Sequence, residues 1–513
     1  MLLQHAFEAI AGADPERTAL VFEGRRTSYG ELDRRSAAWA AWLRAQGLQP
    51  GDRVVCLMDN GVAFALALLA CLRAGAVFVP LGPQTRATRL RAVLADCGAH
   101  ALLSQPDLQP VIDAAVSDDP APRVRLWATP DAPPCEADAA SPTSPPARTI
   151  DQDLAALIYT SGSTGEPKGV MLSHLNMRAA AASVQAYLGL RADDVLAGVL
   201  PLAYSYGLYQ LLLAFQVGAR VVLQRSFAFP VPVLKALAAE GTTVFAGVPT
   251  MFALWLGLKN AADLTWPALR LVTNAAAAMR PEQWHALQRL LPQAGLYSMY
   301  GQTECKRISY LPPEELARRP GSVGRGMPNQ AHWLVDERGQ RLPPGEATGE
   351  LVVRGSHVMR GYWNKPALSA QVLRPFAIAG ESVLHTGDVF RSDADGWLYF
   401  VGRRDEIIKC RGEKVAPRAV EEALCRVDGV LEAAVVGVPD PLLGEAVVAF
   451  VVPRPGSSLH ARALQRHCAD TLDSGLAPQR VLFVNSLPRT ETGKVRKQDL
   501  AQTLHPSTQE NTA

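Results

Sequence analysis

The sequence predicts an α/β fold with a large N-terminal domain of layered α/β sheets and a small C-terminal α+β domain. At 513 residues the chain is long enough for two or more domains with large cores. A strand-like run at 54–58, a helical segment that ends at Gly75 and a second strand-like run at 77–81 have the spacing of a parallel α/β layer. Beyond residue 403 the last ~110 residues carry helical and strand-like segments, a reasonable size for an independent domain.

Composition excludes several classes of protein. Apolar residues make up 48% of the chain and charged residues 19%, as in an ordinary globular enzyme. The net charge of +2 and the lack of a block of like charge argue against a nucleic-acid partner. The eight cysteines are scattered without CxxC spacing, so we expect free thiols in a reducing cytoplasm. No signal peptide is evident, and the apolar run at 62–72 is too short to span a membrane.

Local patterns predict further elements of the N-terminal part. Residues 19–29 have the pattern of a hairpin, and Ser28 and Glu31 have the spacing of a capping box that begins a helix. The stretch 118–146 is rich in Pro, Ala, Ser and Asp. Because α/β patterning resumes directly after it, we predict a long surface connection there rather than a domain boundary.

The stretch 157–172 joins two apolar, strand-like runs through hydroxyls, glycines and a lysine. Glycines let the backbone approach a phosphate, Ser and Thr add hydroxyl donors, and Lys168 supplies a positive charge. The stretch therefore has the composition of an anion-binding loop. It is not a Walker A loop, because Gly169 follows Lys168 where that motif has Ser or Thr. A flexible surface loop is the alternative interpretation of a short Gly/Ser run.

This loop resembles the phosphate loop of the adenylate-forming superfamily, which includes acyl-CoA synthetases, adenylation domains of peptide synthetases, and luciferases. The resemblance covers essentially residues 15–500 and includes the motifs Tyr-Ser-Met-Tyr-Gly-Gln-Thr-Glu at 297–304, Gly-Tyr-Trp-Asn at 361–364, His-Thr-Gly-Asp at 385–388 and Gly-Lys at 493–494. It implies an AMP-forming acyl-CoA synthetase, an acid-thiol ligase. Such an enzyme uses ATP to convert a carboxylic acid to an acyl-adenylate and then transfers the acyl group to a pantetheine thiol.

The resemblance also implies roles for individual residues. Lys494, Thr303 and Lys168 are the expected catalytic residues, and Glu304 is the expected ligand of the Mg²⁺ that accompanies ATP, since a hard carboxylate suits a hard cation. The residues expected at ATP are Thr160, Ser161, Gly162, Ser163, Thr164, Gly165, Lys168, Asn274, Ala275, Ala276, Ser298, Met299, Tyr300, Gly301, Thr303, Asp388, Arg403 and Lys494. Those expected at the acyl pocket are Tyr204, Tyr206, Val248, Phe252, Ala276, Met299 and Gly301.

The same resemblance divides the chain into an N-terminal adenylation domain, 1–403, and a mobile C-terminal domain, 404–513, joined by a hinge. Asp405 is the expected hinge residue. Lys409, Gly412 and Lys414 are expected to line the channel for the thiol in a second conformation.

The acid itself is only partly constrained. No acidic residue occurs between Val195 and Leu223, where peptide synthetases carry an Asp that holds the substrate's α-ammonium. A buried ammonium without a counter-charge is costly, so an α-amino acid is disfavoured. Tyr204 stands where the family usually has His. The alternative interpretation of Tyr204 is an ordinary aromatic residue of the core. The aromatic side chains indicate an apolar pocket suited to an aryl, medium-chain or branched acid.

Three other functions stay open at this point. The nearest is a ligase that loads an acyl carrier protein instead of coenzyme A, because both thiols end in the same pantetheine arm. A luciferase-like oxygenase would need the same adenylation. A non-catalytic nucleotide-binding relative is disfavoured by five retained residues, Lys168, Glu304, Asp388, Arg403 and Lys494.

Overall fold

The computed structural model describes residues 1–116, 124–127, 148–161, 167–410, 413–472, 476–489 and 495–504. Its α-helices are α1 His5–Ala13, α2 Tyr29–Ala45, α3 Val62–Ala74, α4 Ala87–Cys97, α5 Gln109–Val116, α6 His174–Leu188, α7 Ser205–Val217, α8 Pro230–Ala239, α9 Pro249–Leu256, α10 Pro281–Leu290, α11 Pro313–Leu316, α12 Pro366–Val372, α13 Pro417–Cys425, α14 Ala461–Thr471 and α15 Lys497–Gln502. Short 3₁₀ helices span Pro106–Leu108 and Ala261–Asp263.

The strands are β1 Thr18–Phe22, β2 Arg25–Ser28, β3 Arg53–Leu57, β4 Val77–Leu81, β5 Ala101–Ser104, β6 Val124–Trp127, β7 Leu154–Ser161, β8 Pro167–Ser173, β9 Val195–Gly198, β10 Arg220–Leu223, β11 Val244–Gly247, β12 Leu271–Asn274, β13 Gly295–Tyr300, β14 Ser309–Leu311, β15 Arg325–Gly326, β16 Ala331–Val335, β17 Ala347–Arg354, β18 Leu373–Pro375, β19 Ser382–Ser392, β20 Leu398–Arg403, β21 Ile408–Cys410, β22 Glu413–Val415, β23 Val430–Asp440, β24 Gly444–Pro453 and β25 Arg480–Phe483.

The chain forms two compact units. The larger comprises Met1–His332 and Val353–His385, and the smaller comprises Trp333–Val352 and Thr386–Ala513. The mixed α/β class, with a large N-terminal and a small C-terminal part, is confirmed. The sequence-based boundary after residue 403 stays a prediction.

Two sheets form most of the larger unit. One has nine strands in the order β15-β14-β13-β12-β11-β9-β10-β1-β2, and its central pairs from β1 through β13 are parallel. The other has six strands in the order β6-β5-β3-β4-β7-β8. The carboxyl ends of parallel strands meet at one edge of a sheet, which is where open α/β sheets bind ligands. The nine-stranded sheet therefore offers such an edge at the ends of β9, β11, β12 and β13.

Local sequence explains several of these elements. The predicted strand–helix–strand layer is β3, α3 and β4, with β3 and β4 parallel. Twelve of the thirteen residues of α3 are buried and apolar, and the exception is Arg73 in its last turn. The Ser28 side chain accepts a hydrogen bond of 3.1 Å from the backbone N–H of Glu31, so the predicted cap begins α2.

One prediction for this unit was incomplete. Strand β6 lies inside the stretch 118–146 that the sequence assigned to a surface connection, and it pairs in parallel with β5. Its four residues form an edge strand, too short to give a periodic signal within a segment rich in Pro and Ala. The remainder of that stretch lies outside the described residues.

The smaller unit contains the strand-like runs predicted near the C-terminus. β23 and β24 form a long antiparallel pair, and β21, β22 and β25 complete their sheet. Its core is aliphatic, with Val435, Val447 and Val451 fully buried against Leu424 of α13. In the second half of β19, Asp388 lies directly opposite Arg403 of β20.

Two further sequence-based expectations concern thiols and membranes. Seven described cysteines are free, and six of them are buried, whereas Cys425 is half-buried. Cys135 lies outside the described residues. Within the part of the chain that the structure describes, no helix has the length and hydropathy to cross a membrane.

Candidate active site

The carboxyl edge of the nine-stranded sheet places two predicted residues side by side. Asn274 ends β12, and its register partners are Gly247 of β11 and Ser298 of β13. The Asn274 side chain is buried, and its Nδ2 donates a 2.9 Å hydrogen bond to the carbonyl oxygen of Ala277. Its Oδ1 is buried without a donor among the described residues. Since an unsatisfied buried acceptor costs free energy, this oxygen is suited to receive an N–H from a ligand.

The turn after β12 carries small residues and a strained backbone. Ala275 is buried, whereas Ala276 is exposed and has a φ of 72°, in the left-handed region. A non-glycine residue there costs roughly 1 kcal/mol or more, and such strain is concentrated at functional sites. The hydrogen bond from Asn274 to Ala277 closes this turn, so the side chain of Asn274 and the strained backbone support one another.

The end of β13 leads into the second predicted motif. Tyr300 is the last residue of β13 and is half-buried, and Gln302 donates a 3.3 Å hydrogen bond to its hydroxyl. Thr303 follows and is also half-buried. Gly301 has no room for a side chain, because a Cβ there would lie 2.5 Å from the carbonyl oxygen of Lys306 and 2.7 Å from Cα of Arg307. The motif therefore requires glycine at this position.

We expect Gly301→Ala to lower the free energy of unfolding by about 1–3 kcal/mol, because the new methyl group collides with backbone that cannot rotate away. Thermal unfolding followed by circular dichroism measures the effect. Gly12→Ala is the matched control, since no atom lies within 4 Å of a Cβ at Gly12. Equal midpoints for Gly301→Ala and the wild type would show that the 301–307 turn is not tightly packed.

A tyrosine joins the predicted phosphate-binding lysine to the predicted metal ligand. The hydroxyl of Tyr362 donates a 2.9 Å hydrogen bond to Oε1 of Glu304. Nζ of Lys168 lies 6.0 Å from the centroid of the same ring. Thr160 is the register partner of Lys168 across the β7–β8 hairpin. Four residues from distant parts of the larger unit thus lie near one another.

Backbone pairing explains how Tyr362 reaches this position. Tyr362 forms an antiparallel bridge with Val170 of β8. On either side, Met171 donates to the carbonyl of Gly361 at 2.9 Å, and Trp363 donates to the carbonyl of Gly169 at 2.8 Å. The sequence indicated the 361–364 motif but gave Tyr362 no role. Its contact with Glu304 depends on tertiary structure, and the only sequence signal was its place in that motif.

In the smaller unit the structure brings together three predicted residues. Nη1 of Arg403 lies 3.2 Å from Oδ1 of Asp388, whose side chain is only 5% exposed. Nε of Arg403 donates a 3.3 Å hydrogen bond to Oδ1 of Asp405. Asp405 is exposed in the turn that follows β20. Arg403 therefore holds the buried carboxylate and the exposed one at the same time.

A cavity in the larger unit includes two of the predicted acyl-pocket residues, Tyr206 and Met299. The hydroxyl of Tyr206 hydrogen-bonds Thr273, with 2.8 Å between Oη and Oγ1. Apolar side chains of α6 and α7 form much of the remaining wall. Lys306 and Arg307 also line the cavity. The sequence analysis missed both, although two cations directly after the 297–304 motif are a visible signal.

Lys306 is enclosed by uncharged groups. Its Nζ donates a 2.8 Å hydrogen bond to the carbonyl of Ser205 and lies 4.3 Å from the ring centroid of Tyr209. Burial, together with the charge of Arg307, holds the pKa of Lys306 well below its usual value. The pocket predicted as apolar with aromatic walls therefore also carries two basic groups.

The other expected acyl-pocket residues have varied surroundings. Phe252 is fully buried in the core, and its ring fills the space beside the Cα of Gly247. Val248 is half-buried against the same core and precedes α9. Tyr204 is half-buried and is the N-cap residue of α7. These three residues are absent from the wall of the cavity at Tyr206.

The remaining predicted residues belong to the phosphate loop, the thiol channel and the Gly493-Lys494 motif. Lys409 is exposed in β21, and its register partner in β22 is Lys414. The side chains of Ser161 and Lys414 are outside the described part of the structure. The predicted residues that lie wholly outside the described ranges are Gly162, Ser163, Thr164, Gly165, Gly412 and Lys494.

Comparison with known proteins gives matches over nearly the whole chain. The family model for AMP-binding enzyme matches residues 7–363, and that for the AMP-binding enzyme C-terminal domain matches residues 419–494. A feruloyl-CoA synthase from Amycolatopsis sp is 34% identical over 489 residues, covering 95% of this chain and 96% of the relative. An indoleacetate–CoA ligase from Aromatoleum aromaticum is 34% identical over 523 residues, covering 98% of each. The ATP-bound structure of MatB from Rhodopseudomonas palustris has a TM-score of 0.89 at 29% identity, covering 98% of this chain and 99% of that one.

Proposed function

Because the chain belongs to the AMP-binding enzyme family and is an AMP-forming acyl-CoA ligase, we propose that the Lys168, Tyr362 and Glu304 group is where it activates the acid. An enzyme of this class forms an acyl-adenylate and pyrophosphate from a carboxylate and ATP, and then transfers the acyl group to coenzyme A. The observation that carries the assignment is Tyr362, whose hydroxyl donates to Glu304 and whose ring centroid lies 6.0 Å from Nζ of Lys168. A cation and a carboxylate in one place suit a triphosphate with its metal ion.

The protein contributes charge and position in the first step. Lys168 binds the phosphates that leave as pyrophosphate, and Thr303 donates its hydroxyl to an oxygen of the α-phosphate. Lys494, which the family resemblance assigns, binds the carboxylate and the α-phosphate together as charge moves between them. Fixed donors of this kind need no reorganisation during the reaction, which is why they lower the barrier.

Glu304 is the residue that would hold Mg²⁺. Among the described residues no group of three or more His, Cys, Asp or Glu side chains could bind a metal by itself. One carboxylate nevertheless fits Mg²⁺, because this ion takes one or two protein carboxylates and completes its octahedron with water and substrate phosphates. The bond from Tyr362 occupies one oxygen of Glu304 and fixes the direction of the other. Mg²⁺ bound there would neutralise phosphate charge.

Tyr362→Phe should raise the Mg²⁺ concentration needed for half-maximal acyl-adenylate formation, by roughly 3- to 10-fold, because Glu304 loses the hydrogen bond that orients it. The phenyl ring keeps its contact with Lys168, so the KM for ATP at saturating Mg²⁺ should change little. Acid-dependent pyrophosphate exchange, titrated with Mg²⁺, measures both. Tyr399→Phe is the matched control, because it removes a tyrosine hydroxyl that donates to a carboxylate, Asp393, in the other unit. An unchanged Mg²⁺ requirement in Tyr362→Phe would contradict the role.

The nucleoside would be held by residues of the same sheet edge. Tyr300 presents a half-buried aromatic face that suits a base, and the unsatisfied Oδ1 of Asn274 suits an exocyclic amino group. The small residues Ala275 and Ala276 allow the backbone to lie against a flat base. Asp388 remains the predicted acceptor for the ribose hydroxyls, since one carboxylate can accept both.

The acceptor of the acyl group is coenzyme A for this class of ligase. A carrier protein is the alternative that shares the pantetheine arm, and thioester formation with coenzyme A against a holo carrier protein distinguishes the two. Asp405 is proposed as the hinge for the second step, with Lys409, Gly412 and Lys414 along the thiol channel. These four assignments rest on the resemblance of the 396–414 segment to the family.

We expect a des-amino acid to be adenylated at least ~10-fold better than the α-amino acid with the same side chain, for example 3-phenylpropionate over phenylalanine. An unpaired ammonium in a low-dielectric pocket costs more than roughly 1.4 kcal/mol, and the cavity wall holds cations rather than a carboxylate. The acid nearest in sequence, Asp194, already accepts a 2.8 Å hydrogen bond from Nε of Arg270. Pyrophosphate exchange with matched pairs tests this, and preference for the amino acid would favour a peptide-synthetase type of substrate.

The proposed function is tested by pyrophosphate exchange into ATP across a panel of carboxylic acids without a thiol. The expected result is exchange that depends on the acid and on Mg²⁺, and that falls when Lys168 or Glu304 is replaced. Exchange that persists at the wild-type rate in Lys168→Met and Glu304→Gln would show that activation occurs elsewhere.

A further inference from the structure

The cavity at Tyr206 and Met299 encloses two basic side chains that the proposed reaction does not use. Lys306 is 6% exposed and Arg307 is 3% exposed. The residues that line this cavity include no Asp or Glu. Two neighbouring basic groups therefore face a partly open space whose other walls are aliphatic, aromatic or neutral.

Neither basic side chain has an acidic partner among the described residues. Lys306 is held by the carbonyl of Ser205 and by the face of Tyr209, and Arg307 lies 5.1 Å from the ring centroid of Tyr206. Nε of Arg307 is buried and has no hydrogen-bond acceptor within the described ranges. A buried charge without a counter-charge is strongly unfavourable, and an anion in the cavity would offset that cost.

The backbone is shaped to bring both side chains to the cavity. Residues 303–305 form a turn and residue 306 a bend before β14 begins at Ser309. Lys306 has a φ of 56°, in the left-handed region that non-glycine residues rarely adopt. This left-handed residue and its neighbour Arg307 both line the cavity. This arrangement costs roughly 1 kcal/mol or more, as strained backbone at functional sites does.

We propose that this cavity receives a second anionic group of the acid substrate, a carboxylate or sulfonate at the end remote from the carboxyl that is activated. The inference rests on the proposed function, because it takes Tyr206 and Met299 as walls of the acyl pocket. Arg307 offers the planar fork that binds such a group through two hydrogen bonds. A bound anion favours the protonated form of Lys306, which then adds a point charge beside it. The substrate class is then a short acid with two anionic ends, rather than a purely apolar acid.

The test compares acids that differ only in the remote group. Each ω-carboxylate, such as succinate, glutarate or adipate, is paired with its ω-amide, which has the same size but no charge. In the wild type we expect kcat/KM for pyrophosphate exchange to be at least ~10-fold higher for the carboxylate, since a site built for a charged partner rejects the neutral analogue. Arg307→Met should reduce that ratio to within about 3-fold, and Lys306→Met should reduce it as well.

Arg318→Met is the control, because Arg318 is 75% exposed and lies outside the cavity. It should keep the wild-type ratio. A wild type that prefers the ω-amides or the unsubstituted acids, or an Arg307→Met enzyme that keeps the full preference, would overturn the inference and leave the proposed function intact. If Arg307→Met does not fold, the wild-type ratio of kcat/KM for the ω-carboxylate over the ω-amide is sufficient to test the inference. Absence of exchange with every acid, charged or neutral, would instead overturn the proposed function.

Discussion

Lys494→Ala is expected to slow acyl-adenylate formation by roughly 10²-fold or more, because it removes a charge that acts at the transition state of the first step. Formation of the thioester from acyl-adenylate supplied ready-made should be largely spared. The expectation follows from the Gly493-Lys494 match to the family, since Lys494 lies outside the described residues. Pyrophosphate exchange measures the first half-reaction, and coenzyme A consumption with synthetic acyl-adenylate measures the second.

Lys497 provides a matched control for this experiment. It is three residues further along, and its Nζ lies 2.8 Å from Glu421 and 3.4 Å from Glu406. Its charge therefore has a structural use within the smaller unit. Lys497→Ala should cost at most about 1 kcal/mol of stability and leave exchange close to the wild-type rate. Equal loss of both half-reactions in Lys494→Ala, or a similar loss of exchange in Lys497→Ala, would contradict the role given to Lys494.

Asp405→Pro is expected to separate the two half-reactions. Proline fixes φ near roughly −65° and removes the backbone N–H, so a hinge at this residue can no longer change its dihedral angle. No backbone hydrogen bond from the Asp405 N–H occurs among the described residues, so the ring breaks none of them. If the hinge is held in the adenylating conformation, exchange survives and thioester formation falls steeply.

The control is Asp405→Ala, which also loses the contact with Nε of Arg403 but keeps a free φ. It should retain both half-reactions within a few fold. If Asp405→Pro lost pyrophosphate exchange but kept thiol transfer, the proline ring would favour the thiol-transfer conformation. Wild-type rates in both half-reactions would place the hinge elsewhere in the 402–407 segment or show that no rotation is needed.

Sequence reasoning predicted well where a structural signal is local. The β3–α3–β4 layer and the cap at Ser28 depend on residues within a few positions of one another, and both are present. The ~110-residue C-terminal region likewise has its predicted strands. Strand β6 was missed because four residues at a sheet edge carry too little pattern to outweigh a composition typical of loops.

The site was predictable only in part, because its chemistry depends on contacts between distant segments. Glu304 was found through its motif, but the tyrosine that orients it is 58 residues away in sequence. Lys306 and Arg307 were visible in the sequence, yet their burial and their place on one cavity wall depend on tertiary structure. Whether a basic side chain lines a cavity depends on tertiary structure. The apolar pocket inferred from the aromatic residues therefore did not include Lys306 and Arg307.

The most direct test of the central claim is a single turnover with α-labelled ATP, Mg²⁺ and a good acid substrate, quenched before any thiol is added. The account predicts stoichiometric acyl-adenylate and pyrophosphate, with the label passing to free AMP as thioester forms after coenzyme A is supplied. Release of ADP, or of AMP only when the thiol is already present, would contradict a two-step reaction through an acyl-adenylate.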